Sequence, residues 1–493
     1  MIAGVSVALV LIPQSLAYAE LAGMPPYFGL YAAMLPPIAA AFFASSPYLQ
    51  TGPVAMTSLL TFGALAVLAP PQSPEYIALA ALLAVVVGVV RTFLGGIRAG
   101  WVAYMMSQPV LTGFTAAAAI LIVASQLPTA LGVQAEGERL LARAWWALGH
   151  VSSWELASVV LSLLTISLVL AGRRLHALFP GVLVAVGLGI GYSLIAGYGG
   201  PVVGQVPSGL PPFSLDLPWT ALPSLAIPGV VIALVGFAEP AAISRIFAAQ
   251  DRRPWSPDRE FVSQGVANLA AGFSGAFPVG GSFSRSSVNR LAGGKTRWSG
   301  AVTGLVVLAF LPVAGVLAPL PRAILGAIVI SAVVKLIAVG RLGRLIHYSL
   351  PQALIAWFTF AATLLLAPRI ELAVLMGIGL AILVHLWREL AVHVATEYSD
   401  ETLRLTPHGV LFFASAPGLD EAVIQQLAAH PSAERLVIDL AQLGRIDYTG
   451  ALALKDVVEE AELASLHVEM TGIPPHARRI LTKVFGADSP LLK

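Results

Sequence analysis

Long apolar runs dominate the first four-fifths of the chain and constrain its fold more than any other feature. Ile77 to Val90, Ala157 to Ala171, Ala301 to Leu317 and Leu372 to Leu386 are separated from their neighbours mostly by short polar turns. About 20 apolar residues cross a bilayer as a helix, and fewer suffice where protein shields a broken one. The runs therefore read as membrane spans. A content of 57% apolar and 11% charged residues, with mean hydropathy +0.83, excludes a cytosolic enzyme. Lys+Arg 28 against Asp+Glu 26 leaves no broad cationic field for nucleic acid. With no cysteine there is no disulfide framework, thiolate metal site or cysteine nucleophile.

Charge is unevenly spread. Residues 1–392 carry 20 Lys/Arg and 12 Asp/Glu, whereas 393–493 carry 8 and 14 in a quarter of the length. The break divides a membrane domain, 1–392, from a soluble domain, 393–493. The chain opens apolar, from Met1 to Ala19, with no basic segment before it, which reads as a first span rather than a signal peptide.

Fourteen apolar stretches can be counted, centred near residues 10, 37, 60, 84, 116, 163, 187, 233, 267, 288, 308, 330, 359 and 380, the third and tenth being short. With the N-terminus cytoplasmic, fourteen Lys/Arg, Arg91 and Arg98 among them, fall on inside loops and flanks, and four fall outside. This asymmetry places the soluble domain in the cytoplasm. Pro13 and Pro240 are 227 residues apart, as are Pro53 and Gly280. The offset suggests two inverted seven-span repeats, about 1–200 and about 222–392.

A helix that starts in mid-membrane presents unpaired N–H groups and the positive end of its dipole, which suits an anion. Thr51-Gly52-Pro53-Val54-Ala55 and Val279-Gly280-Gly281-Ser282-Phe283-Ser284-Arg285 are the two expected openings, and Arg285 adds a full charge beside them. The same residues also fit two helix kinks with a structural arginine. Glu239 lies in Val230 to Ala242, which holds no other ionisable group. Burying a charge there costs about 2.5 to 3.5 kcal/mol, so a functional role, proton coupling, is the first reading. A structural hydrogen bond at Pro240 is the alternative.

Pro13-Gln14-Ser15-Leu16-Ala17-Tyr18-Ala19, Leu21-Ala22-Gly23-Met24-Pro25-Pro26, Phe28-Gly29-Leu30-Tyr31 and Thr51-Gly52-Pro53-Val54-Ala55 resemble the signature of the SulP family of sulfate permease-like anion transporters. The resemblance continues at Glu239 with Ala242 to Ala248, at Asn268 to Gly275, at Gly281 to Ser286 and at Gly293-Gly294-Lys295-Thr296. The tail resembles the family's STAS domain through Leu436 to Leu440 and Ile446-Asp447-Tyr448-Thr449-Gly450-Ala451. A short polar leader before this numbering is also suggested.

The resemblance implies fourteen spans in a core domain and a gate domain, assembled as a homodimer in the cell (inner) membrane. It implies an anion held between helices 3 and 10, lined by Gln14, Tyr18, Val54, Ala55, Phe283, Ser284 and Arg285, with Glu239 coupling transport to a proton. Family substrates are sulfate, bicarbonate and C4-dicarboxylates; two opposed helix ends and a weakly polar lining favour a dicarboxylate such as fumarate. No cofactor is expected, and H+ is preferred to Na+ because the pocket offers a single acid. A chloride/bicarbonate exchanger or an anion channel is the alternative.

The soluble domain reads β-β-α-β-α-β-α, with strands near 402–406, 410–414, 436–440 and 467–471 and helices near 420–429, 449–463 and 475–485. Thr449 corresponds to a phosphorylated serine in related anti-sigma-factor antagonists. It reads here as an N-cap and as a possible regulatory site for a partner of the STAS domain. His385 and His393 lack the further ligands a metal site needs.

Overall fold

The computed structural model describes residues 1–104, 107–137, 139–176, 178–207, 209–211, 213, 215–389, 393–486 and 489–492. They form two compact units, Met1–Gly379 and Leu380–Lys493. The division falls inside the last apolar helix rather than at the charge break after 392, because that helix's buried residues, Ile370 to Gly377, all precede it.

Each of the fourteen apolar stretches is a helix: α1 (Ile2–Leu21), α2 (Phe28–Phe43), α3 (Ala55–Leu65), α4 (Pro74–Gly96), α5 (Gln108–Leu131), α6 (Leu156–Leu175), α7 (Gly181–Tyr192), α8 (Leu222–Asp251), α9 (Pro257–Phe273), α10 (Phe283–Leu291), α11 (Trp298–Phe310), α12 (Arg322–Val333), α13 (Leu350–Leu365) and α14 (Ile370–Glu389). Two amphipathic helices, Leu140–Gly149 and Val339–Tyr348, lie between spans. Lipid offers the backbone no hydrogen-bond partner, so helices that satisfy their own N–H and C=O groups are forced. Pro13 and Pro240 each remove one such bond, yet α1 and α8 run through them without interruption.

The first unit encloses a set of polar side chains within an apolar interior and presents apolar side chains on its outside. Gln14, Gln50, Arg91, Glu260, Gln264, Asn268 and Arg285 are buried, while Val89, Phe93, Leu163, Leu305 and Leu354 are exposed. In water that surface would aggregate; in a bilayer it meets acyl chains. The spans sort into two groups: α1–α4 pack mainly with α8–α11, and α5–α7 with α12 and α13. Helix association in lipid depends on close approach of small residues. Gly29 of α2 is such a point, because a Cβ there would collide with the Ser15 carbonyl oxygen of α1.

The second unit carries a five-stranded sheet. Strand β4 (Thr402–Leu411) is central, pairing antiparallel with β3 (His393–Ser399) and parallel with both β5 (Arg435–Asp439) and β6 (Leu443–Ile446); β5 pairs parallel with β7 (His467–Thr471). Helices α15 (Ala416–Ala429), α16 (Tyr448–Leu463) and α17 (Pro475–Phe485) accompany the sheet, whose core includes Leu403, Leu405, Leu436, Ile438, Leu454 and Val458. Two expectations are corrected. The stretch 402–406 and the first two residues of 410–414 belong to one strand, whose pairing with β6 shifts register at Gly409/Val410, while 412–414 lie beyond it; β3 and β6 complete a sheet expected to have four strands. Polar, exposed residues in β3 and β6 hid their alternation.

Candidate anion site

Two short strands cross just before the two short helices. Strand β1 (Thr51–Gly52) pairs antiparallel with β2 (Gly280–Gly281), Thr51 opposite Gly281 and Gly52 opposite Gly280, and the Ser282 N–H donates to the Gln50 carbonyl at 3.0 Å. One strand comes from each sequence half. Helices α3 and α10 start within three residues of this crossing, at Ala55 and Phe283. At about 1.5 Å per residue they are roughly 16 and 14 Å long, half of a hydrocarbon core of about 30 Å. Both N-termini therefore begin inside the membrane unit. The starts are 228 residues apart (283 minus 55), one more than the proline and glycine landmarks give.

The two helix starts are differently furnished. Val54 precedes α3 with no side-chain cap, and the first α3 residues, Ala55 and Met56, are half-buried. At α10, Ser282 Oγ accepts the Arg285 N–H at 3.4 Å, and the Phe283 N–H donates to Glu239 Oε1 of α8 at 3.4 Å. The Glu239 carboxylate thus sits as an internal anion on the helix end.

Arg285 is fully buried, and none of its three guanidinium nitrogens has a hydrogen-bond partner among the described residues; the buried Ser284 Oγ has none either. Tyr18 and Glu239 lie close enough to Arg285 to interact with it electrostatically. Gly52, at φ +152°, carries the guanidinium close above it: an added Cβ would stand 3.5 Å from Nη2 in a conformation that side chains disfavour. Gln14 is buried on α1. Val54 is buried against Gly280, where a Cβ would come within 3.1 Å of Val54 Cγ2. The Phe283 ring is half-exposed and parallel to that of Phe247, with centroids 6.2 Å apart.

A polar lattice holds these segments, and most of it escaped the sequence reading. Asn268 of α9 clamps Val279, accepting its N–H at 2.9 Å and donating to its carbonyl at 3.1 Å. Gln264 donates to Thr51 Oγ1 at 2.7 Å. The Gln50 N–H donates to Ser286 Oγ at 2.9 Å, and its amide bridges Ser299 and Thr303 of α11. Arg91 corrects an expectation. Counted among cytoplasmic flanks, it is fully buried and donates to the carbonyls of Ala233, Ile232 and Val279 at 3.0, 3.1 and 3.0 Å. It ends an apolar run, which is also where a flanking cation stands, so sequence alone could not separate the two. Its three acceptors are backbone groups of α8 and of the extended segment before β2, invisible to residue-type reasoning.

Thr449 belongs to the second unit. It is exposed as the second residue of α16, and the cap is Asp447, whose Oδ1 accepts the Gly450 N–H at 2.7 Å. The N-cap reading of Thr449 is therefore corrected. Among the described residues, no cluster of three or more His, Asp or Glu could hold a metal ion.

Comparison with known families and structures agrees with this geometry. Residues 1–359 match the sulfate permease family and residues 393–489 the STAS domain. A probable sulfate transporter of Mycobacterium tuberculosis is 34% identical over 391 residues, covering 78% of this chain and 69% of that one. Probable sulfate transporter 4.2 of Arabidopsis thaliana is 29% identical over 526 residues, covering 98% and 76%. Among solved structures, the murine solute carrier 26 family member A9 anion transporter in the inward-facing state overlays with TM-score 0.90 at 20% identity, covering 99% of this chain and 88% of that one. The transmembrane domain of a cyanobacterium bicarbonate transporter overlays with TM-score 0.65 at 25% identity, covering 78% and 96%.

Proposed function

Because the chain belongs to the sulfate permease family of membrane anion transporters, we propose that it is a proton-coupled symporter of a small divalent anion, working by alternating access. One observation carries the reading. A buried guanidinium with no hydrogen-bond partner among the described residues stands at two helix starts joined by a strand pair, one of which is already engaged by a carboxylate. A buried charge without hydrogen bonds inside a membrane protein costs several kcal/mol and is stabilised when an anion arrives.

Glu239 supplies the coupling. Ionised, it occupies the Phe283 N–H and neutralises part of the Arg285 field, competing with substrate for the same positive end. Protonated, it gives up that charge, and the helix end and Arg285 turn to the incoming anion. Proton and anion then load together, which is the requirement for symport. Ser284 and Tyr18 can donate through their hydroxyls, Gln14 through its amide, and Val54 and Ala55 through backbone N–H groups.

Sulfate is the first substrate to test, because relatives in a bacterium and a plant carry that name; a C4-dicarboxylate is the second. The two packing groups of spans serve as core and gate, and the Glu20–Arg322 ion pair, 3.1 Å between α1 and α12, ties them at one end. The asymmetry of positive charge, thirteen against four once Arg91 is removed from the count of fourteen, supports a cytoplasmic N-terminus and STAS domain in the inner membrane. The chain acts as a homodimer, with the STAS domain and its exposed Thr449 as the regulatory contact. The test is uptake of labelled sulfate and fumarate into proteoliposomes, with and without an inward proton gradient. Accumulation of one anion driven by the gradient supports the reading, whereas fast flux of chloride indifferent to the gradient overturns it.

A further inference from the structure

We propose that the groove where α2 and α4 end and α9 begins binds the headgroup of an anionic phospholipid. A cavity of about 400 Å³ opens there, with Phe42 and Phe43 at the end of α2, Arg98 just past α4, and Asp258 and Arg259 in the first turn of α9. Both arginines are exposed, and neither has a hydrogen bond or ion pair with another side chain among the described residues. The one acid in the lining is committed elsewhere, since Asp258 Oδ1 accepts the Gly100 N–H at 2.7 Å and thereby pins the turn that carries Arg98. Two arginines against one aspartate leave the groove with a net positive charge.

The backbone supports a purpose for Arg98. It sits at φ +58°, directly after the C-cap of α4, a position where glycine is normally preferred. A long cationic side chain stands there in a backbone conformation unfavourable for an L-residue.

The walls select a lipid rather than a free anion. Phe42, Phe43, Phe93 and Ile97 are exposed beside the groove on a unit that spans the membrane, so acyl chains lie against them. Trp298 meets Phe42 edge-on at 5.2 Å, and the Arg297 guanidinium lies 5.9 Å from the Trp298 ring centroid, an aromatic and cationic rim of the kind found at headgroup level. Cations at the membrane surface attract anionic headgroups, each by about 1 kcal/mol. A phosphodiester placed between Arg98 and Arg259 would meet both charges while its chains remain in the apolar phase. The anion site does not contribute to this groove, and the inference stands whether or not the chain couples transport to protons.

The experiment uses the full chain, purified in detergent, equilibrated with vesicles of phosphatidylglycerol in phosphatidylcholine and examined by native mass spectrometry. Wild type should retain phosphatidylglycerol over phosphatidylcholine. Arg98→Gln with Arg259→Gln should lower that retention about tenfold or more, and Arg98→Lys with Arg259→Lys should keep most of it. Phe42→Ala with Phe43→Ala should weaken lipid retention through the apolar wall with both charges intact. Equal retention by the glutamine variant and wild type would overturn the proposal. So would complete displacement of the lipid by inorganic phosphate, which would make this a free-anion site. If the glutamine variant fails to fold, the lysine and alanine variants decide: unchanged retention by the alanine variant together with loss in the lysine variant rejects the headgroup assignment.

Discussion

Arg91 and Arg285 are both fully buried arginines in the membrane unit, yet replacing each by methionine should change stability in opposite directions. Arg91 makes three hydrogen bonds to backbone carbonyls. Charge-assisted bonds are worth about 1.5–3 kcal/mol each, and the Val279 carbonyl would lose a partner outside any helix. Discounting for the desolvation that the cation no longer suffers, Arg91→Met should cost about 3–5 kcal/mol. Arg285 has no hydrogen-bond partner for its guanidinium. Its removal relieves a buried charge that no hydrogen bond compensates, and Glu239, left without that cation, can take up a proton, so ligand-free Arg285→Met should be at least as stable as wild type. It should instead lose anion binding by about 3–4 kcal/mol, roughly a hundred- to a thousandfold in Kd. The assay is thermal unfolding of purified protein with and without sulfate. Wild type should be stabilised by about 2.7 kcal/mol at a hundred times its Kd, Arg91→Met should start low but respond, and Arg285→Met should start high and not respond. If Arg285→Met is destabilised as much as Arg91→Met and still responds to sulfate, the arginine is a structural strut and the anion site is misplaced.

Glu239→Gln should uncouple transport from the proton gradient and leave anion binding at high pH stronger than in wild type, measured as the pH profile of sulfate-dependent stabilisation; a profile superimposable on wild type would remove Glu239 from coupling. Gly29→Ala should cost about 1–3 kcal/mol or more by forcing α1 and α2 apart at the Ser15 carbonyl, read as lost thermal stability; an unchanged melting point would show that the two helices can separate freely there. Glu20→Gln removes the partner of Arg322 and should shift the balance of open and closed states by about 1 kcal/mol, about fivefold, measured by labelling of cysteines introduced along α1. Deleting residues 393–493 should leave the membrane unit folded, checked by its elution as a single species and its retained response to sulfate.

Much of this architecture could be read from residue order. Each of the fourteen apolar stretches is a helix, since lipid leaves a buried backbone almost no alternative, and the paired glycine and proline landmarks mark the two short helices correctly. The landmark Gly280 pairs with Gly52, the residue before the landmark Pro53, across the two strands. What residue order could not give was the lattice around them. Gln264, Asn268 and Gln50 act on groups more than ten residues away in the chain, and no spacing rule links Asn268 to Val279 as a surrogate strand. The position of Arg91 failed for the same reason: its acceptors are carbonyls, which every residue has. In the soluble unit, α15, α16 and α17 were legible from their apolar periodicity, whereas β3 and β6 were not, being short or largely exposed. The Thr449 cap was misplaced by two residues because Asp447 and Thr449 are both capping residue types, and the backbone chooses between them.

The central claim is that proton and anion load together at the α3–α10 crossing. The measurement that tests it most directly is uptake of labelled sulfate into proteoliposomes under an imposed inward proton gradient, for wild type and Glu239→Gln side by side. The account predicts uphill accumulation by wild type that collapses when a protonophore is added, and only downhill equilibration by the variant. Accumulation that survives the protonophore, or that the variant performs as well as wild type, would contradict it.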